Sequence, residues 1–184
     1  MHSDEELYGA FLFGDEAAFD ELMLRYGDSI VFYLFGYLHS AEDAEDLMID
    51  AFARILVKKP AIREGCFKAY LYKTARNLAY RHHARSLKRR EFSTEGMEAL
   101  LSDGGSVDAF VGEKERNAAL YRCLRRIDPQ LREALWLVYS EGLSYAETAG
   151  ILGTTEKRVD KLLSRAKKQM RTELEKEGVT NAYE

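Results

Sequence analysis

Cysteine and proline are scarce in this sequence, with two residues of each among 184. Cys66 and Cys123 lie far apart, and neither has another Cys or a His at the spacing of metal ligands. A zinc site and a disulfide framework are therefore not expected. The scarcity of proline, beside abundant leucine, alanine and tyrosine, favours an all-helical protein.

Long apolar runs are also missing. A membrane-spanning helix needs roughly 20 consecutive apolar residues, and no stretch approaches that length. The first ten residues, MHSDEELYGA, are acidic where a secretory signal would be basic. We therefore expect no direct membrane insertion and a cytoplasmic location.

Basic residues are nearly absent from the first part of the chain. Residues 1–53 contain 13 acids and one base, whereas residues 54–90 contain 12 bases and one acid. Residues 91–115 are again acidic, and residues 116–184 have a small basic excess, so the net charge of −4 conceals a segregated distribution. This pattern predicts two contacts with a polyanion and a different partner for the acidic part.

The strongest local motif spans residues 143–171, LSYAETAGILGTTEKRVDKLLSRAKKQMR. Ser144 and Glu147 form a capping box for a first helix, and Gly153 supplies the turn that ends it. In the next helix, apolar residues recur at helical spacing: Val159, Leu162, Leu163, Ala166 and Met170. The motif predicts a helix-turn-helix.

The opposite face of this second helix is basic. It contains Lys157, Lys161, Ser164, Arg165 and Lys168, with Arg171 at its edge. Such a face suits docking in the major groove of DNA, whereas a solvated, lysine-rich helix is the simpler alternative.

Capping signals also divide the N-terminal part into helices. Ser3 with Glu6 predicts a short helix ending at Gly14, and Asp15 begins a second. Gly27 is predicted to interrupt that helix before a strongly apolar third one. Ser40 then begins a fourth helix, which ends before the next proline.

The first turns of the fourth helix are crowded with acids: Glu42, Asp43, Glu45, Asp46 and Asp50. Acids at a helix N-terminus are favoured by the helix dipole, so capping and solubility explain them in part. A protein-binding face is the other interpretation.

Residues 67–85, FKAYLYKTARNLAYRHHAR, predict a helix with a mixed basic and aromatic side. This side contains Lys68, Tyr72, Lys73, Arg76, Tyr80 and His83. Cations hold a nucleic-acid backbone while rings stack on unpaired bases, so the pattern is typical of single-strand binding. The alternative is that the tyrosines only cover apolar surface.

The domain prediction follows from these segments. We expect an all-α protein with two small helical domains, residues 1–88 and 112–178, joined by a flexible linker over residues 89–111. Residues 179–184 form a tail. The second domain begins with two further helices, the latter capped by Asp128 and Pro129, and ends in the helix-turn-helix.

Three blocks of the chain resemble the extracytoplasmic-function (ECF) sigma factors of bacterial RNA polymerase. AEDAEDLMIDAF resembles the family's D-A-E-D-L helix, and FKAYLYKTARNLAYR resembles its W-L-Y-x-I-A-R-N helix. The helix-turn-helix resembles its promoter-reading motif, and the order of the blocks also matches.

The resemblance implies three binding surfaces. The surface for core polymerase would contain Asp43, Glu45, Asp46, Leu47 and Asp50. The surface for the melted minus-ten element would contain Arg63, Lys68, Tyr72, Lys73, Arg76, Asn77, Tyr80 and His83, with the loop before the helix capturing a flipped base. The surface for the duplex minus-thirty-five element would contain Lys157, Arg158, Lys161, Ser164, Arg165 and Lys168.

The implied function is an alternative sigma factor that recruits core RNA polymerase to promoter DNA and traps melted bases. It would need no cofactor, no metal and no catalytic residue, and an anti-sigma factor would restrain it. A stand-alone helix-turn-helix regulator is the alternative. A nuclease has little support, because the sequence shows no metal triad or nucleophile arrangement.

Several positions depart from the family pattern, including Lys157 and Arg158 at the start of the DNA-reading helix. Ile49 stands where glutamine is usual, Tyr70 where tryptophan is usual, and Arg81 where aspartate is common. Asp160 lies within the DNA-reading face, where a carboxylate repels phosphate but accepts a hydrogen bond from a cytosine amino group. We therefore expect an unusual upstream promoter sequence.

Overall fold

A computed structural model describes residues 2–92 and 115–178. Within these residues it contains helices and no strand, which confirms the all-α prediction. The helices are α1 (Asp4–Leu12), α2 (Glu16–Leu38), α3 (Ala41–Lys58), α4 (Phe67–Phe92), α5 (Glu115–Arg126), α6 (Pro129–Leu135), α7 (Tyr145–Leu152) and α8 (Glu156–Lys176), with a π-helical turn at Trp136–Ser140. The chain divides into two compact units, Met1–Gly105 and Ser106–Glu184.

Side-chain caps begin the helices of the first unit where the sequence predicts them. Ser3 and Glu6 form the reciprocal capping box of α1. Asp15 accepts a hydrogen bond from the Ala18 amide at the start of α2, and Ser40 accepts one from the Asp43 amide at the start of α3.

Gly27 does not interrupt α2, so the prediction of two helices over residues 16–38 is wrong. The helix runs continuously from Glu16 to Leu38. An internal glycine costs roughly 1 kcal/mol relative to alanine, which is small beside the burial of side chains on both sides of it. Leu22 and Ile30 are both 0% exposed, so tertiary packing holds the helix together across the glycine.

The core of the first unit is aromatic. Phe19 of α2 meets Phe52 of α3 edge to face, with ring centroids 5.9 Å apart. Phe67 begins α4 and lies against Tyr8 of α1 at 5.3 Å. Helix α4 packs on α1, α2 and α3, and this threefold contact decides which of its side chains remain exposed.

Helix α4 continues to Phe92, beyond residue 88 where we placed the end of the first domain. The polar composition after residue 85 therefore does not end the helix. Most of the predicted linker and the whole predicted tail, residues 179–184, lie outside the described residues. The domain boundaries remain predictions.

The second unit contains the helix-turn-helix with the predicted caps. Ser144 and Glu147 form the capping box of α7, and Gly153 ends that helix with a φ of +66°. Thr155 begins α8 by accepting a hydrogen bond from the Arg158 amide. The core is formed by α6, α7 and α8 and includes Leu131, Ala134, Ala149, Val159, Leu162, Leu163 and Ala166.

Candidate nucleic-acid interface

Helix α8 presents its predicted basic face to solvent. All six predicted side chains are exposed: Lys157, Arg158, Lys161, Ser164, Arg165 and Lys168. The buried residues of α8 lie on the other side and pack against α6 and α7. The helix is therefore fixed from behind, while its cations project where they can contact phosphates or base edges.

Lys167 lies at the edge of this face and was not predicted to take part in binding. Its Nζ lies 5.1 Å from the centre of the Tyr139 ring. A hydrogen bond with the Tyr139 side chain raises the pKa of Lys167, with nearby Tyr145 and Asp160 adding to the effect. The helical wheel places Lys167 beside Asp160, but its contact with Tyr139 depends on where α8 lies relative to the π-helical turn that contains Tyr139.

Tyr72 of α4 is buried, which corrects its assignment to the DNA-binding side. It is 0% exposed and lies edge to face with Tyr33 of α2, at 5.1 Å between ring centroids. A single packing partner would bury one stripe of α4, whereas contact with α1, α2 and α3 buries a wider arc. Ala75 and Ala79 belong to the same arc.

The other predicted side chains of α4 reach the surface. Lys73, Asn77, Tyr80 and His83 are exposed, whereas Lys68 and Arg76 are partly exposed. Both of these cations lie over aromatic rings.

Arg76 and Tyr80 form a cation–aromatic pair on this face. The guanidinium carbon of Arg76 lies 4.6 Å from the centre of the Tyr80 ring, and its Nη2 donates to the Tyr80 hydroxyl at 3.1 Å. Tyr37 of α2 lies beside Tyr80, at 5.9 Å between ring centroids. One turn of α4 therefore places a cation and an exposed ring together, as stacking on an unpaired base requires.

Lys68 lies at the N-terminal end of the basic and aromatic side of α4. Its Nζ lies 5.7 Å from the centre of the Tyr26 ring, which belongs to α2. Burial raises the pKa of Tyr26, and a short hydrogen bond to Asp4 raises it further, so this phenol stays neutral. Tyr26 and Tyr37 were missed because a sequence pattern on α4 does not show which α2 side chains lie next to it.

The loop between α3 and α4 contains Arg63, which is exposed. The loop closes with a turn in which the Cys66 amide donates to the Arg63 carbonyl at 3.0 Å. Gly65 adopts a φ of +73° in this turn, a conformation that side chains other than glycine rarely take.

The acidic side of α3 is largely exposed, but Leu47 is not part of its surface. Glu45, Asp46 and Asp50 are exposed and Asp43 is partly exposed, whereas Leu47 is 8% exposed and packs in the core. This corrects the prediction that Leu47 is a contact residue. Its side chain supports the acidic side from beneath.

The same side of α3 becomes apolar toward its C-terminal end. Ile49, Leu56 and Val57 are 53%, 44% and 77% exposed. The acids could orient a basic partner, and the apolar side chains could supply contact area. The apolar part was not predicted, although the helical wheel places these three residues near the exposed acids.

Within residues 2–92 and 115–178, no group of three or more His, Cys, Asp or Glu side chains is arranged to hold a metal ion. No helix in the same residues is long and apolar enough to cross a membrane.

Two family models match the chain. Sigma-70 region 2 matches residues 22–90, and sigma-70 region 4 matches residues 117–170. The first covers α3, the loop and most of α4, and the second covers the helix-turn-helix. These matches define the class, a sigma-70-type transcription initiation factor with regions 2 and 4.

Proteins similar to this chain along most of its length are RNA polymerase sigma factors. The ECF RNA polymerase sigma factor BldN of Streptomyces coelicolor is 34% identical over 155 residues, which cover 83% of this chain and 59% of that protein. The RNA polymerase sigma-H factor of Pseudomonas aeruginosa is 27% identical over 172 residues, which cover 86% of this chain and 89% of that protein. The chain thus spans less than two thirds of the first relative. It belongs to the ECF sigma factors of bacterial RNA polymerase.

Two solved structures share the fold. CnrH, in complex with the cytosolic domain of CnrY, gives a TM-score of 0.64 at 21% identity, covering 94% of this chain and 97% of that chain. The sigma factor RpoE, in complex with the anti-sigma factor NepR from Bartonella quintana, gives a TM-score of 0.63 at 21% identity. The match covers 85% of this chain and 96% of that chain.

Proposed function

We propose that this protein is an alternative sigma factor that binds core RNA polymerase, recognises promoter DNA and traps melted bases. The observation that carries the proposal is the exposed basic face of α8 on a capped helix-turn-helix, within a chain that contains sigma-70 regions 2 and 4. The factor makes and breaks no bond itself. It acts in the cytoplasm, where core polymerase transcribes.

The second unit reads the duplex minus-thirty-five element. The N-terminal part of α8 enters the major groove, where Lys157, Arg158 and Lys161 lie closest to base edges. Asp160 lies among these cations and is exposed. It accepts a hydrogen bond from a cytosine amino group and disfavours sequences that offer only acceptors there.

The first unit holds the melted minus-ten strand along α4. Cations such as Lys73 neutralise the backbone, and the exposed Tyr80 ring stacks on a base. Arg76 fixes the ring from one side by its cation–aromatic contact. Trapping an unpaired base costs a few kcal/mol, which the stacking and phosphate contacts offset.

The acidic side of α3 binds core polymerase. Asp46 and Asp50 orient the complex by long-range attraction to a basic surface, and Ile49 adds apolar contact where the family more often has glutamine. We also propose that an anti-sigma factor binds this protein, because RpoE, which has a similar fold, forms a complex with the anti-sigma factor NepR.

The proposal is tested by mixing the purified chain with bacterial core RNA polymerase and measuring complex formation and transcription from a genomic fragment library. We expect a one-to-one complex whose transcripts begin downstream of a shared sequence. A chain that forms no complex with core polymerase, yet binds duplex DNA specifically by itself, would instead be a stand-alone regulator.

The role of the basic face of α8 is tested with the double variant Lys161→Ala, Arg165→Ala. Its holoenzyme should bind the promoter more weakly by a few kcal/mol, and the slope of log affinity against log salt should become shallower by about 2. Arg125→Ala with Lys176→Ala removes the same charge at exposed positions outside the face, one on α5 and one about three turns beyond Arg165 along α8, and should leave the slope unchanged. An unchanged slope in the first variant would show that another face of α8 meets DNA.

A further inference from the structure

Helix α1 makes two long-range hydrogen bonds to the loop between α3 and α4. The Tyr8 hydroxyl donates to the Pro60 carbonyl at 2.7 Å, and the Gly65 amide donates to Glu5 Oε1 at 2.9 Å. The partners are separated by 52 and 60 positions in sequence. Helix α1 therefore holds the loop near both of its ends.

Both bonded ends of the loop contain left-handed backbone. Lys59, which precedes Pro60, has a φ of +42°, and Gly65 has a φ of +73°. The Lys59 ammonium also lies 4.9 Å from the centre of the Phe11 ring of α1. Arg63 lies between these ends, so the α1 contacts define the backbone that carries it.

Helix α1 is itself firmly placed. Arg25 of α2 donates to Asp4 at 2.6 Å, and the rings of Phe11 and Phe19 lie 4.6 Å apart. Tyr8 is 5% exposed and its ring lies against Phe67, the first residue of α4. A loop bonded to α1 is thereby fixed relative to both α2 and α4.

We propose that Glu5 and Tyr8 are positioning residues that hold the loop in the shape required to capture an unpaired promoter base. This inference rests on the proposed function. Both residues precede residue 22, where the match to sigma-70 region 2 begins, so that match assigns them no role.

The physical basis is preorganisation. A flexible loop loses conformational entropy when it closes on a base, and this loss weakens binding. Hydrogen bonds formed during folding remove part of that loss before DNA arrives. Their contribution should therefore appear only where the loop meets an unpaired strand.

The matched variants are Glu5→Ala, Glu5→Gln and Tyr8→Phe. Glu5→Ala removes the acceptor, Glu5→Gln keeps an oxygen acceptor without the charge, and Tyr8→Phe removes only the hydroxyl. Asp20→Ala is the charge control, because Asp20 is an exposed acid on α2. Thermal melting of each variant establishes that it is folded.

Two measurements are made. In the free chain, amide hydrogen exchange at Gly65 should accelerate in Glu5→Ala and stay near wild type in Glu5→Gln. In complex with core polymerase, affinity for a forked promoter with an unpaired minus-ten strand should fall about three- to tenfold in Glu5→Ala and Tyr8→Phe. Affinity for the fully duplex upstream element should not change.

The outcomes separate the inference from the proposed function. If wild-type holoenzyme shows no preference for the fork, the strand-trapping function fails and the positioning role fails with it. If wild type prefers the fork and Glu5→Ala and Tyr8→Phe both match it, only the positioning role is overturned. Loss of the Asp20 carboxylate should not weaken fork binding, because removing an acid reduces repulsion of DNA. An equal loss in Asp20→Ala would therefore also overturn the positioning role, since the effect would then not depend on the contacts of α1 with the loop.

Discussion

Two tyrosines on one helix differ in what they do, although the sequence pattern treats them alike. Tyr72 is buried and Tyr80 is 49% exposed. Tyr72→Ala should lower the free energy of unfolding by about 3 to 5 kcal/mol, because it leaves a cavity in the aromatic core. Tyr80→Ala should lower it by less than about 1 kcal/mol, since that ring lies at the surface.

Chemical denaturation measures the stability of both variants, and a forked promoter measures their function. We expect Tyr80→Ala to weaken binding of the forked promoter by about 1 to 3 kcal/mol, the usual contribution of one stacked base. A Tyr80→Ala holoenzyme that binds the fork like wild type would remove Tyr80 from the proposed site.

Glu177 should make the stability of the second unit dependent on pH. Hydrogen bonds from Arg122 and Arg126 of α5 lower the pKa of this carboxyl below its ordinary value of 4.5. The ion pairs are therefore complete above pH 4.5, and their contribution is lost as pH falls from 4.5 through the lower folded-state pKa. The Glu177 side chain is near the surface, so screening keeps the effect small.

The test compares the free energy of unfolding of wild type and Glu177→Gln between pH 3 and pH 7. Wild type should be the more stable protein at pH 7, and the difference should shrink toward pH 3. A difference that stays constant over this range would show that the two arginines do not stabilise the ionised form.

Two glycines of one helix permit a sharp test at the scale of the element. Gly153 ends α7 with a φ of +66°, whereas Gly150 lies inside α7, and a Cβ at either position meets no atom within 4 Å. Gly153→Ala should destabilise the second unit by about 1 to 2 kcal/mol, because alanine avoids the left-handed conformation. Gly150→Ala should stabilise it by about 0.5 to 1 kcal/mol.

Thermal unfolding of the two variants supplies the measurement. Because both substitutions add the same methyl group, packing differences do not obscure the comparison. If both variants shift the melting temperature in the same direction, the turn between α7 and α8 does not have the left-handed conformation described.

At the scale of the whole molecule, charge segregation sets how the protein approaches DNA. Residues 1–53 contain 13 acids and one base, and this excess repels a polyanion unless a partner covers it. Asp46→Asn with Asp50→Asn should strengthen DNA binding by the free chain and weaken binding to core polymerase. Both side chains are exposed, so stability should change little.

The matched control is Glu16→Gln with Asp20→Asn, which removes two exposed acids of α2 instead. It should raise DNA affinity by a similar factor and leave polymerase binding intact. Titrations with labelled promoter and with core polymerase at fixed salt measure both quantities. Equal loss of polymerase binding in the two double variants would show that only overall charge matters.

The sequence by itself determined the features that depend on neighbouring residues. Ser3, Ser144 and Gly153 begin or end helices because their hydrogen bonds and backbone conformations involve residues no more than a turn away. The basic face of α8 followed from helical periodicity alone. The family resemblance followed from motifs that each lie within a single helix or turn.

Only the tertiary structure decided the features that depend on distant residues. Tyr72 is buried because α4 packs on three helices, and Gly27 is tolerated because the core holds α2 on both sides of it. The bond from Gly65 to Glu5 joins positions 60 residues apart. The energy of such contacts comes from helices packing together, and no local pattern records which side chains that packing brings within reach.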